Sequence, residues 1–416
     1  MLTSALRIFL TRSFKPFVFH NRFASTLDYH SPQALGLYVH IPFCRSVCSF
    51  CPYCKELYDQ EKAQLYRAAL LQEIELVCRN GAGRREATSL YFGGGTPVTM
   101  IEHLPEIIDH LGYYFKISGG IGVELHPDDI SPSVLQKLEA AGVNMVSVGF
   151  QSFNDNCLEK LGRSSSNYLE KMALVREGHF HVIDVDLIFA IPGQNSQTLT
   201  NDLATAFLHG ATQVSTYPFI EFSYSHNNYK PMPAPEKKKM LQALTLYCRE
   251  NNLERTSVWT FARPGTQQYS SVTREAYLGF GLSAATLLPA SFKINSHSLR
   301  AYIDRVENGL LPTSLTLDFS PRQRAVYHLF WSAYNLKFNR EKFYNTFGTE
   351  IEQMFGPDLH LATRLGFINR SGDNYLLTDK GINLFHDIEQ IYTTAYIDKM
   401  WNTSRRRDFP EKMVLR

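Results

Sequence analysis

From residue 36 the chain alternates short apolar runs with segments whose apolar positions recur every three to four residues. The runs at 37–41, 89–92, 121–125, 144–150, 181–190 and 212–219 read as strands, and 62–78, 101–111, 133–141, 167–177 and 199–208 read as helices. In the first helix Leu65, Ala69, Leu70, Ile74 and Val77 are spaced for one buried face. Ser131 is placed to cap the third helix, with Pro132 at a tolerated early position. Near-continuous apolar strands alternating with helices predict a parallel sheet wrapped by helices. Polar, glycine and cysteine residues fall at or just after the strand ends, where α/β barrels carry their active sites.

Beyond residue 220 the pattern changes. Residues 231–235 are a proline-rich loop, and 236–251 are helical with Lys237, Lys238 and Lys239 on a solvated face. Residues 257–261 suit an edge strand. From Ser320 the order is three helices, a hairpin around Ser371-Gly372-Asp373, and a helix over 379–388. That order is winged-helix-like, and without a basic stripe it reads as a packing domain, not a DNA reader. The predicted fold is α/β, a partial (β/α)6 barrel over 34–250 with an extension and connector at 251–315. A C-terminal helical, winged-helix-like domain follows at 316–400, and a polar tail containing Arg405, Arg406 and Arg407 at 401–416.

The 416 residues are 44% hydrophobic and 20% charged with a net charge of +2, so no bulk electrostatic attraction to nucleic acid or membrane is expected. No apolar run approaches the roughly 18–20 residues that span a bilayer. Residues 1–27 hold Arg7, Arg12, Lys15 and Arg22 and no acid, a composition that resembles a mitochondrial presequence with a processing site at Arg22-Phe23-Ala24-Ser25. The alternative is a basic extension of a bacterial, cytoplasmic protein. On either view residues 1–30 are expected outside the fold.

Four of the seven cysteines lie between positions 44 and 54. Cys44, Cys48 and Cys51 have the spacing C-x3-C-x2-C. Three thiolates on one loop can hold three irons of a four-iron cluster and leave the fourth open, whereas an electron carrier normally supplies four. A zinc site completed by Cys54 is the competing reading; Cys54 also reads as a small buried apolar residue. Three features accompany the loop. Tyr91-Phe-Gly-Gly-Gly-Thr-Pro97 exposes main chain to a ligand or forms a tight turn. Glu124, Gln151 and Asp186 interrupt or end apolar runs, as ligand contacts or as solvated strand edges. Arg163 is a carboxylate partner or a surface arginine.

Together with Tyr38-Val-His-Ile-Pro-Phe-Cys44, Gly149-Phe-Gln-Ser-Phe153, Asp186-Leu-Ile-Phe-Ala-Ile-Pro-Gly193 and Gly279-Phe-Gly-Leu-Ser-Ala284, these motifs give a resemblance. The chain resembles radical S-adenosylmethionine (SAM) enzymes of the oxygen-independent coproporphyrinogen III oxidase-like family over roughly residues 36–390. The resemblance implies a radical SAM barrel in which Cys44, Cys48 and Cys51 ligate a [4Fe-4S] cluster whose open iron chelates SAM. It implies that Tyr38, Phe50, Gly94, Gly95 and Thr96 line SAM. Glu124, Gln151, Arg163 and Asp186 would contact that SAM or a second one, and Ala285 the second. The reduced cluster would cleave SAM to methionine and a 5′-deoxyadenosyl radical, fed by a single-electron donor such as a flavodoxin- or ferredoxin-like protein. The substrate would be a tetrapyrrole or another conjugated small molecule.

The family also contains a heme-chaperone branch and a two-SAM methyltransferase branch. Cys51-Pro-Tyr-Cys54 differs from the Cys-x-Cys of the oxidases. The heme chaperones' His-Asn…Tyr-Trp signature is replaced here by Gln268-Tyr-Ser-Ser-Val-Thr-Arg-Glu275, with His226-Asn227-Asn228-Tyr229 as a partial echo elsewhere. In that replacement Thr273 and Arg274 would suit an anionic substrate group.

Overall fold

The computed structural model describes residues 2–22, 26–79, 81, 83–164, 167–225, 227–267 and 275–416. The expected processing site at 23–25, His226 and the segment containing Tyr269, Thr273 and Arg274 lie outside the described residues. The chain forms two compact units, one of Leu37–Ser270 with Phe280–Leu282, the other of Met1–Gly36, Ser271–Gly279 and Ser283–Arg416. Each is described by itself.

In the first unit six strands are neighbours in sequence order: β1 (Gly36–Ile41), β2 (Ser89–Gly94), β3 (Ile121–Leu125), β4 (Met145–Gln151), β5 (Val182–Phe189) and β6 (Gln213–Pro218). The pairs from β2 through β6 are all parallel. Thr260–Ala262 and then Glu254–Arg255 add antiparallel strands beside β6. Every residue of β2 is buried, as is every residue of β5 except Asp186, which is half-buried. Strands enclosed on both faces need such runs, which is why the sequence pattern was so legible.

The helix Gln60–Cys78 is capped by Asp59, whose side chain accepts from Lys62 N, and it buries Ala63, Tyr66, Ala69, Leu70, Glu73, Ile74 and Val77. Leu65 does not belong to that face: it is 53% exposed. It sits about 100° round the helix from Tyr66, at the flank of the stripe. Buried Glu73 is satisfied by the Gly281 amide at 2.7 Å, and the Tyr66 hydroxyl accepts from Leu282 N at 3.1 Å. The single helix expected at 101–111 is instead a 3-10 segment, Pro97–His103, followed by the helix Leu104–Tyr114. Pro105 in the opening turn explains the restart, because a helix tolerates proline there and not in its interior. Ser131 caps Pro132–Ala140 as expected, accepting from Val134 N. Lys237 departs from its expectation. It is buried in Ala234–Glu250, with Nζ donating to Phe219 O at 3.3 Å, whereas Lys238 and Lys239 are exposed.

The second unit corrects both chain ends. Leu2–Thr11 is a helix, and Phe17–His20 is a strand between Thr313–Asp318 and Lys412–Leu415, antiparallel to both. Residues 1–30 are therefore not outside the fold, and 401–416 are not a polar tail. Phe19, Met413 and Leu415 pack with Ile294, Leu315, Leu317, Tyr396 and Met400. The unit boundary also falls at 270/271 and not at 250 and 315. Ala285–Leu287, Ser291–Asn295 and Thr313–Asp318 pair with one another, so they share a sheet with the termini.

The winged-helix-like order appears as Pro321–Tyr334, Arg340–Phe347 and Ile351–Arg364, then the hairpin Ile368–Ser371/Asn374–Leu377 and the helix Asp379–Tyr392. Ala325, Phe343, Ile351, Phe355, Leu359, Ile368 and Tyr375 form its core. Ser320 and Gln323 form a reciprocal capping box at the start of the first of these helices.

Candidate active site

The cysteine loop leaves β1 through Pro42. Phe43–Cys44 pairs in parallel with Glu56–Leu57, which pins both ends of the loop. Glu56 N donates to Pro42 O at 2.8 Å and Tyr58 N to Cys44 O at 2.9 Å. All three motif cysteines are free thiols; Cys44 is buried, and Cys48 and Cys51 are half-buried. Burial pushes the Cys44 thiol up to about 11; the Thr96 hydroxyl opposes the rise, Cys51 and Cys48 add to it, and Lys55 opposes it. Each of two sulfurs meets a donor: Arg163 Nε lies 3.2 Å from Cys48 Sγ, and Thr96 Oγ1 lies 3.7 Å from Cys44 Sγ. Lys55 Nζ donates to Cys51 O at 2.6 Å. This donor set suits sulfur ligands of an iron–sulfur cluster, which are tuned by hydrogen bonds to sulfur. Among the described residues no three His, Cys, Asp or Glu side chains converge on a single metal ion. A cluster asks something different, since each thiolate takes its own iron.

The glycines after β2 answer first to the protein. A Cβ on Gly95 would lie 2.7 Å from the Pro42 and Phe43 carbonyl oxygens, and one on Gly93 would lie 2.9 Å from Glu124 Oε1. Gly94 has φ +117°, and a Cβ there would meet the His40 ring at 2.7 Å. Gly95 N donates to Ile41 O and Thr96 N to Phe43 O, so this turn is stitched directly to the strand and loop that carry Cys44.

Behind the loop the β-strands present a polar face. Glu124 accepts from Tyr91 OH at 2.8 Å and from Gly94 N at 3.1 Å. Its carboxyl is raised by burial, which those two hydrogen bonds oppose. Tyr38 stacks on Tyr91 with ring centroids 6.2 Å apart, and its hydroxyl lies 3.0 Å from His40 Nδ1. His40 Nε2 in turn lies 2.9 Å from Cys54 O. Burial lowers the pKa of His40 to about 4, so at neutral pH it is an uncharged bridge from β1 to the far end of the cysteine loop. Asp186 accepts from Ser147 Oγ at 2.9 Å.

Gln151 ends β4 with φ +70°, unusual for a non-glycine residue. The β4–β5 register shifts there: Val185 faces Val148 but Leu187 faces Gln151. Asp186 is thus the single residue opposite Gly149 and Phe150, a bulge of the kind that re-aims side chains beside active sites. Arg163 closes the group, donating through Nη1 to Gly149 O and lying 5.5 Å over the Phe50 ring. The structure therefore brings Tyr38, Cys44, Cys48, Phe50, Gly94, Gly95, Thr96, Glu124, Gln151, Arg163 and Asp186 into one connected region of one unit. Cys51 is carried on the same loop. Ala285 belongs to the other unit, at the start of Ala285–Leu287.

Sequence reasoning missed His40, Tyr91, Ser147 and Asp184. His40 and Asp184 each lie two positions from a residue it did find, Tyr38 and Asp186, and so on the same face of a strand. That periodicity was the available signal.

Residues 38–206 match the family model of the radical SAM superfamily. The chain is 26% identical to the heme chaperone HemW of Bacillus subtilis, over 84% of this chain and 97% of that protein. It is 24% identical to the oxygen-independent coproporphyrinogen III oxidase of Synechocystis, over 94% and 91% respectively. The structure of coproporphyrinogen III oxidase (HemN) from Escherichia coli, described as a radical SAM enzyme, superposes with a TM-score of 0.73 at 24% identity, over 87% of this chain and 90% of that one. That likeness establishes a shared fold. The cysteine loop, the glycine turn and the carboxyl-bearing strands all lie inside the matched segment, so residues 38–206 carry a radical SAM domain in a chain similar to proteins named HemW and oxygen-independent coproporphyrinogen III oxidase.

Proposed function

We propose that this protein reductively cleaves SAM and directs the resulting carbon radical at a tetrapyrrole or a similar conjugated small molecule. The observation that carries this reading is the pairing of a three-cysteine loop with hydrogen-bond donors aimed at its sulfurs, Arg163 at Cys48 and Thr96 at Cys44. Cys44, Cys48 and Cys51 would hold a [4Fe-4S] cluster. Tyr38, Phe50, Gly94, Gly95, Thr96, Glu124, Gln151, Arg163 and Asp186 would surround SAM, and Ala285 would serve a second SAM. When bound, the cluster would supply the single electron for reductive cleavage of SAM.

The protein's own work is to hold and enclose. Arg163 donates to the Cys48 sulfur and Thr96 to the Cys44 sulfur, and the Thr96 bond opposes the rise that burial imposes on the Cys44 thiol. Tyr38 and Tyr91 offer a flat aromatic wall. Glu124 and Asp186 would be acceptors for hydroxyl or ammonium groups of SAM. The electron would come from a flavodoxin- or ferredoxin-like donor.

Anaerobically reconstituted protein reduced with dithionite is expected to release 5′-deoxyadenosine from SAM. An intact cluster with no release would refute this reading. A second reading is heme carriage on the same scaffold, favoured by the match to nearly the whole length of HemW. Stoichiometric heme binding without SAM cleavage would select it. Transfer of a labelled methyl group from SAM to product would instead select the two-SAM methyltransferase reading. The bacterial relatives suit a cytoplasmic setting. A mitochondrial address rests on the composition of residues 1–27, part of which forms a paired strand.

A further inference from the structure

Asp184 is a second acid on β5, two residues before Asp186 and on the same face of the strand. It is buried, whereas Asp186 retains partial exposure. Asp184 Oδ2 accepts from Ser215 Oγ at 2.9 Å, and Ser215 reaches the Thr260 hydroxyl at 3.4 Å. The groups facing this pair are Glu124 from β3, Ser147 from β4, Gln213 and Ser215 from β6, and Arg163 from the segment after the helix Asp155–Lys160. Arg163 is the one cation among those groups, and its donors are already directed at Gly149 O and Cys48 Sγ. Three carboxyls, Asp184 buried and Glu124 and Asp186 half-buried, thus share one strand face with a single committed guanidinium. Like charges on adjacent acids cannot all ionise cheaply in such a place.

We propose that Asp184 is a positioning residue for Asp186: it keeps the Asp186 carboxyl protonated while the site is empty, so that SAM binding against Asp186 expels a proton to solvent. This inference rests on the SAM reading above. The carboxyl of Asp186 is raised well above its ordinary range by burial, then by Asp184, then by Glu124, while Ser147 and Arg163 oppose the rise. Asp184 itself is pushed up to about 6 by burial, against the hydrogen bonds of Ser215 and Gln213. A ligand with ribose hydroxyls and a positive sulfonium favours the carboxylate over the acid. SAM affinity therefore rises with pH and levels off once Asp186 is already ionised in the empty protein. Removing the Asp184 charge lets Asp186 ionise at lower pH. Removing the Ser147 donor does the reverse.

The test is anaerobic calorimetric titration of cluster-bearing protein with SAM, in two buffers of different ionisation enthalpy, from about pH 6 to about pH 9. Wild type is expected to release up to about one proton per SAM at the acid end and none at the alkaline end. In Asp184→Asn the midpoint of that release moves down, and in Ser147→Ala it moves up. Opposite displacements separate positioning from a general loss of structure. Weaker binding at an unmoved midpoint, or pH-independent binding by wild type, overturns the proposal. Wild type that carries its cluster and binds no SAM overturns the SAM reading itself, a distinct result.

Discussion

Arg163 Nε lies 3.2 Å from Cys48 Sγ, and the same guanidinium donates to Gly149 O. One side chain thereby couples the cysteine loop to the bulged end of β4, which carries Gln151. Arg163→Ala removes a charged hydrogen bond of about 1.5–3 kcal/mol. Reconstituted Arg163→Ala is expected to hold markedly less iron and sulfide than wild type. Arg163→Lys recovers part of it, because lysine keeps the charge and loses the fork. Metal and sulfide analysis after anaerobic gel filtration decides the point; full cluster content in the alanine variant would refute the role.

Cys54 separates three ligands from four. It is buried, and its carbonyl is the partner of His40 Nε2. Cys54→Ala keeps that carbonyl and is expected to leave iron content unchanged. Cys44→Ala, Cys48→Ala and Cys51→Ala should each abolish the cluster's visible absorbance. Cluster loss in Cys54→Ala would make it a ligand.

Gly95→Ala places a methyl group 2.7 Å from the main chain of Pro42 and Phe43. Backbone cannot step aside as a flexible side chain can, so a cost of about 1–3 kcal/mol is expected. Chemical denaturation should report it as a lower midpoint at unchanged slope. A variant as stable as wild type would show that the turn has room to shift.

Removing residues 2–22 would strip Phe17–His20 from between Thr313–Asp318 and Lys412–Leu415. It would also break the 2.7 Å Arg12–Asp358 pair and the 2.9 Å bond from Arg322 Nε to Leu10 O. Loss of Phe19 burial alone is worth about 1.5–3 kcal/mol, and two strand edges are exposed. A fall in melting temperature is expected, partly restored by a peptide of residues 2–22 added in trans. Unaltered melting would refute the structural role of this segment.

His328 is buried against the rings of Phe343 and Phe347, and burial lowers its pKa to about 3, with Arg324 and Lys342 acting in the same direction. The unfolded chain takes up a proton near pH 6.5 that the folded chain refuses. Stability from this group is thus present above about pH 6.5 and is lost as pH falls toward about 3. Half-buried Glu389, raised to about 7 by desolvation, works in the opposite sense, since it favours the fold below its unfolded pKa and loses that contribution as pH rises toward 7. The difference between wild type and His328→Leu isolates the histidine. The leucine variant should lose less stability than wild type on acidification, as read by denaturation midpoints at several pH values. Parallel losses would refute the assignment.

By itself the sequence determined whatever rests on local spacing. C-x3-C-x2-C needs only eight residues, and the β-α alternation follows from strands buried on both faces, so both were readable before any fold was known. The winged-helix-like order was readable for the same reason, since its helices and hairpin are each local. What tertiary structure decided were the events between distant segments. Phe17–His20 reads as part of a basic leader because its partners lie about 300 and 400 residues away. Lys237 reads as surface until Phe219 O is brought to it. Asp184 goes unnoticed in the sequence until three parallel strands put it on the same face as Asp186 and Glu124. Composition and period report how a segment buries itself. Which charges share an enclosed face depends on strand order and register, and those are settled only when the sheet assembles.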